Sequence, residues 1–184
     1  DKRMNIAVYC ASSMGKDPIF ASEAKKLGKW LAENHHTLVY GAASVGIMSV
    51  VANAALANGG KVIGVIPKFL DKIEITHKGL SELIKVSTMA ERKTRMMELA
   101  DCFVALPGGP GTLEEISEII SLVRVDELKK PYFICNIAGF YNNLRQFFID
   151  MLNEGFITEA EYQQIKFVSN IDELTNEINK YNNI

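Results

Sequence analysis

The sequence predicts an α/β protein of one domain, a doubly wound parallel sheet with helices on both faces. Three observations carry that expectation. Short apolar runs alternate along the chain with longer stretches of helical periodicity, the pattern of successive βαβ units. The apolar runs are continuous rather than alternating, as strands buried on both faces require. Small and glycine-rich segments follow strand after strand, at the edge of such a sheet where ligands bind. A length of 184 residues suits one core, so residues 1–184 are read as a single domain.

The elements follow in order. Residues 6–10 read as a strand, and residues 18–34 as a helix with Phe20, Ala24, Leu27 and Leu31 at helical spacing. Residues 37–40 form a second strand. Residues 46–58 are alanine-rich and apolar almost all round, which marks a buried helix, and Asn58-Gly59-Gly60 ends it. Residues 61–67 are a third strand and 83–86 a short fourth. A helix over 89–100, a strand over 102–106, a helix over 112–125 and a strand over 132–136 come next. A helix over 141–154 is closed by Gly155. The tail holds a short helix at 158–164, a strand at 166–168 and a helix from Ile171 capped by Asn170. The polar stretch 71–79 is expected to loop over one edge of the sheet.

The composition excludes several classes. The formal net charge is −2, so nothing favours a nucleic-acid backbone as partner. No run approaches the roughly 18 apolar residues of a membrane span, and the apolar run at 5–10 is too short for a signal peptide. Cys10, Cys102 and Cys135 lie in or beside apolar runs, an odd count without a CxxC pair. They read as buried free thiols of a reducing cytoplasm rather than a disulfide framework or zinc site. His35, His36 and His77 show no metal-ligand spacing, so no metal is expected.

The chemistry concentrates after the strand at 102–106, in Pro107-Gly108-Gly109-Pro110-Gly111-Thr112 followed by Leu113-Glu114-Glu115. Glycines admit close approach of a ligand to the backbone, and a helix start presents free amides and the positive end of its dipole. Thr112 can cap that helix and donate to a phosphate oxygen. The turn is neither G-x-G-x-x-G nor a P-loop, which favours one small phosphate over a dinucleotide or triphosphate. An ordinary tight connection is the competing reading. Ser12 and Ser13, and Gly41, follow the first two strands and are either turn residues or ligand contacts.

Arg92 stands 23 positions before Glu115. A helix of about 12 residues covers about 18 Å, and a five-residue strand returns about 17 Å, so Arg92 comes level with the glycine turn. Two readings of an Arg92–Glu115 pair stay open, a structural ion pair or an electrostatic pair acting on a bound nucleotide. Glu114 alone reads as dipole complementation.

Three segments, VYCASS, LVYGAASVGIMSVVANAALANGGKVIGVIP and MAERKTRMMELADCFVALPGGPGTLEEISEII, resemble the Lonely Guy family, long labelled lysine decarboxylase-like; the likeness is strongest over residues 5–155. The resemblance implies a Rossmann-like fold and a homodimer with its site near the subunit boundary. It implies an enzyme that hydrolyses the N-glycosidic bond of cytokinin riboside 5′-monophosphates, or of AMP, to free base and ribose 5-phosphate, with no cofactor. Carried over by position, it implies Arg92 and Glu115 as catalytic residues. It implies substrate contacts from Glu74, Lys93, Gly108, Gly109, Gly111, Thr112 and Ser121. Departures fall elsewhere: Ala42 and Ala43 stand where the family has glycine, as do Ala11 and Ser49, Ala90 where it has His, and Leu122-Val123-Arg124 where it has Trp-Ala-Gln. They leave the phosphate end intact and alter the base end. In the implied mechanism Glu115 stabilises positive charge on the ribose and activates water, while Arg92 positions it. A general AMP nucleosidase and a non-catalytic nucleotide or cofactor carrier are the alternatives. A pyridoxal-dependent decarboxylase would need a Schiff-base lysine that nothing in the sequence singles out.

Overall fold

The computed structural model describes residues 2–72 and 75–183. Strands β1 (Asn5–Tyr9), β2 (Thr37–Tyr40), β3 (Lys61–Pro67), β4 (Glu82–Val86), β5 (Cys102–Ala105), β6 (Tyr132–Cys135) and β7 (Phe167–Val168) form one sheet, paired in parallel throughout in the order β4-β3-β2-β1-β5-β6-β7. The helices are α1 (Pro18–Glu33), α2 (Gly46–Ala57), α3 (Lys68–Asp71), α4 (Met89–Leu99), α5 (Pro110–Arg124), α6 (Asn142–Asn153), α7 (Glu159–Gln164) and α8 (Ile171–Asn182), with a 3-10 turn at Ile137–Gly139. The doubly wound parallel sheet read from the sequence is the observed fold. Among the described residues no helix is long and apolar enough to cross a membrane.

Strand side chains alternate between two apolar layers. Ile6, Val8 and Leu38 pack with α1, α2 and α8 through Leu27, Val51 and Leu174. Ala7, Tyr9 and Phe103 pack on the opposite face with α4 and α5 through Met96, Ile116 and Ile119. All three cysteines are buried free thiols. Glu23 of α1, only 9% exposed, accepts from the amide of Ile171 at 2.9 Å and so ties α8 to α1.

One local boundary needs correction, one segment gains an assignment, and the expected loop over the sheet is observed in its described part. α5 starts at Pro110 rather than at Thr112, because proline's fixed φ and missing amide suit the first helical position. Residues 68–71, unassigned in the sequence, form the short helix α3. The described part of the 71–79 loop is anchored over the sheet's carboxyl edge: Ser44 donates to the carbonyl of Ile75 and His77 to that of Ala42.

Ala42 occupies the left-handed region, at φ 69°, and is fully buried. A Cβ on Gly64 would lie 2.6 Å from the Ala42 Cβ and 2.6 Å from a Leu80 methyl. Gly64→Ala is therefore expected to cost about 1–3 kcal/mol by overpacking. Ala42→Gly alone should be nearly neutral, since about 1 kcal/mol of left-handed strain is relieved while a buried methyl worth about 0.8 kcal/mol is lost. Urea midpoints of both variants and the double mutant check this: part of the Gly64→Ala loss should return in the double mutant, and strict additivity would mean the two positions do not clash.

Candidate active site

The winding of the sheet reverses between β1 and β5, and the carboxyl ends of the strands there frame a cleft of about 550 Å³. It is walled by residues 8–13 of β1 and its following turn, by Gly41 after β2, and by Phe69 and Leu70 of α3. Met48 of α2, Met89, Arg92 and Lys93 of α4, and Gly109, Pro110, Gly111, Thr112, Glu114 and Glu115 of α5 complete it.

One end of the cleft is an amide cradle. At α1, α4, α7 and α8 the side chains of Asp17, Thr88, Thr158 and Asn170 accept from first-turn amides. α2 has no such cap, but its Ile47 and Met48 amides donate to the carbonyls of Ser13 and Ala11. α5 has neither device. Its N-cap is Gly109 without a side-chain bond, and the amides of Gly111 and Thr112 have no acceptor among the described residues. A Cβ on Gly109 or Gly111 would meet nothing within 4 Å, so the space above this turn is open to an anion. Thr112 is the third helical residue and does not cap α5. It is 3% exposed and lies over Gly108, where a Cβ would stand 2.3 Å from the Thr112 hydroxyl. Gly108 therefore makes room for Thr112, and is not itself in the cleft wall.

Arg92 is 6% exposed. Its Nε donates to the carbonyl of Val65 at 3.0 Å and its Nη2 to that of Gly41 at 2.7 Å. Gly41 must be glycine for this clamp, because a Cβ there would sit 2.2 Å from the Arg92 nitrogen. The expected proximity of Arg92 to the glycine turn and Glu115 is observed, but among the described residues the two form no ion pair. The carbonyls at the strand ends orient the guanidinium instead, and its charge reaches Glu115 through space. Lys93 holds two carboxylates of α5, Glu114 at 2.7 Å and Glu118 at 2.9 Å, which raise its affinity for a proton.

Burial pushes the Glu115 carboxyl up to about 7; Arg92 and Lys93 oppose that rise and Glu114 adds to it. A carboxyl that exchanges its proton near neutrality, next to a fixed cation and an anion cradle, is equipped for acid–base and charge-stabilising work.

Other expected contacts separate. Ser13 lies in the wall, together with Ser12. Ser121 lies elsewhere, in an apolar cleft between α5 and α6 with Leu113, Leu144 and Phe147, about 15 Å along α5 from the cradle. Arg124 pairs with Glu161 there. Glu74 falls outside the described residues. The sequence reading missed Tyr9, Met48, Phe69, Leu70 and Met89; their signal was position alone, since most stand at a strand's carboxyl end or a helix start on the same edge.

Residues 48–178 match the family described as possible lysine decarboxylase. A relative from Arabidopsis thaliana, cytokinin riboside 5′-monophosphate phosphoribohydrolase LOG7, is 41% identical over 96% of this chain and 81% of its own. The rice relative LOG, of the same description, is 41% identical over 96% of this chain and 73% of its own. The chain belongs to the LOG family. The fold is shared more widely: the molybdenum cofactor carrier protein of Chlamydomonas reinhardtii superposes with a TM-score of 0.73 over 97% of both chains at 20% identity. In this member of the LOG family, Ala42, in the left-handed region, directly follows Gly41, whose carbonyl accepts from Arg92.

The proton affinity of Glu115 has a consequence for stability. The carboxyl ionises near 4.5 in an unfolded chain and near 7 in the fold. Between those values the folded state binds more protons, so this group's contribution falls as pH rises through the window and is lowest above 7. Glu115→Gln is expected to exceed the wild type in stability at pH 8, by up to about 3 kcal/mol, and to match it near pH 4. Denaturant midpoints at the two pH values check this, and the same gap at both would show that ionisation of Glu115 is not the cause.

Proposed function

We propose that this protein hydrolyses the N-glycosidic bond of a nucleoside 5′-monophosphate bearing adenine or an N6-substituted adenine, releasing the base and ribose 5-phosphate. The observation that carries the reading is Glu115, a carboxyl poised near neutral pH between the carbonyl-clamped Arg92 and the open amides of α5. The names of the relatives at 41% identity support it.

In this reading the 5′-phosphate seats on the amides of Gly111 and Thr112, with the Thr112 hydroxyl as a further donor. The ribose lies between Glu115 and the Ser12–Ser13 turn, and the base against Met48, Phe69, Leu70 and Met89. The bond from C1′ to the base nitrogen breaks with both electrons going to the base, which takes up a proton. Glu115, ionised, stabilises the positive charge left on the ribose and accepts a proton from the water that attacks C1′. Arg92 supplies fixed positive charge to the bound nucleotide. Lys93, held by two carboxylates, acts at the rim and is poorly placed to become a Schiff-base amine. The three buried thiols fit a reducing, cytoplasmic setting.

We also infer a homodimer through the α5–α6 face. Leu113 and Phe147 are 44% and 58% exposed there, around a cleft of about 410 Å³. Such an interface would bring Ser121 to the subunit boundary and begins at Leu113, two residues from Glu115.

Two experiments test these readings. Chromatography of AMP and isopentenyl-AMP after incubation should show free base with the wild type and a loss of about 100-fold or more with Glu115→Gln; undiminished turnover by the variant would remove Glu115 from the mechanism, and intact nucleotide throughout would favour a carrier. Phe147→Glu should convert a dimer to a monomer in light scattering, and an unchanged mass would place any interface elsewhere.

A further inference from the structure

Tyr9 ends β1, beside Ala105 of β5, and is 3% exposed. Its ring stacks on Phe103 with centroids 6.2 Å apart and planes within 13°. It lies in the layer beneath α5, with Ile116 and Ile119, and forms part of the cleft wall. Two other buried tyrosines at this edge of the sheet use their hydroxyls: Tyr40 donates to the Ala43 carbonyl at 2.9 Å and Tyr141 to the Leu106 carbonyl at 2.6 Å. The Tyr9 hydroxyl has no partner among the described residues. A buried hydroxyl in that condition destabilises the resting fold, and packing alone would be served by phenylalanine.

We propose that Tyr9 is a positioning residue for Glu115, its hydroxyl donating a hydrogen bond to the Glu115 carboxylate, directly after a side-chain rotation or through one water molecule, when the nucleotide is bound. The catalytic part of this rests on the hydrolase reading above. The other ionisable groups near Glu115 are paired, clamped or neutral. Glu114 and Glu118 on its own helix hold Lys93, Arg92 is clamped by two carbonyls, and burial pushes the Cys10 thiol far above its ordinary range. Burial and the charges of Glu115 and Glu118 do the same to the Tyr9 hydroxyl, so it remains a donor across the working range. A donor to the ionised carboxylate favours ionisation. It also fixes the rotamer from which Glu115 faces the ribose.

The test is Tyr9→Phe, which removes one oxygen and leaves the stacked ring. The expected result is a kcat about tenfold lower, the size of one charge-assisted hydrogen bond, with KM for the nucleotide within about twofold. The acid limb of the kcat profile should move up by about one pH unit, without loss of thermal stability. Carbon-13 titration of the Glu115 carboxyl, assigned by its absence in Glu115→Gln, gives a readout independent of turnover. With a nucleotide monophosphate bound, the midpoint should be higher in Tyr9→Phe than in the wild type. Identical midpoints would overturn the proposal. Absence of base release by the wild type would instead fail the hydrolase reading, and the titration would still decide whether Tyr9 acts on Glu115.

Discussion

A parallel strand cannot be followed directly by its neighbour; the chain must cross a face of the sheet to re-enter at the same end. In this protein every strand pairing is parallel, so all seven strands deliver their carboxyl ends to one edge. Crossovers from β1 run one way through β2, β3 and β4, and those from β5 run the other way through β6 and β7. The helices on the two faces diverge where the direction changes, and a crevice opens between the turns after β1 and β5. The cradle of α5, the clamp on Arg92 and the position of Glu115 follow from that geometry.

The electrostatics of the crevice rest on main-chain dipoles as much as on side chains. Carbonyls at the ends of β2 and β3 hold the Arg92 guanidinium, while uncapped amides at the start of α5 face open space. The first fixes a cation without neutralising it, and the second offers bonds that no described residue takes. Glu115 lines the same cleft in a largely buried position, which explains why burial prevails over the pull of Arg92 and leaves its proton exchange near neutrality. Such an arrangement is unfavourable to the empty fold and useful to a reaction that develops charge.

The sequence by itself determined the layers and the place of the glycine turn among them. Continuous apolar runs and helical periodicity sufficed because strands buried on both faces and amphipathic helices are local consequences of composition. The glycine turn was legible for the same reason: close backbone approach and a free helix start are written into consecutive residues. Arg92 and Glu115 came together by counting helix rise against strand rise, and the likeness to a known family named both.

What only the tertiary structure decided was the partner of each side chain. Arg92 is clamped by the carbonyls of Val65 and Gly41, 27 and 51 positions away, and no spacing rule encodes a carbonyl as a partner. Gly108 makes room for Thr112, Lys93 is bound to carboxylates, and Ser121 lies on a different face from the cleft. Tyr9 reads as one more apolar strand residue until the sheet and α5 enclose it at the wall of the cleft that Glu115 also lines. Periodicity reports which face of an element is buried; the identity of the neighbour across that face depends on the order of strands and on contacts far apart in the chain.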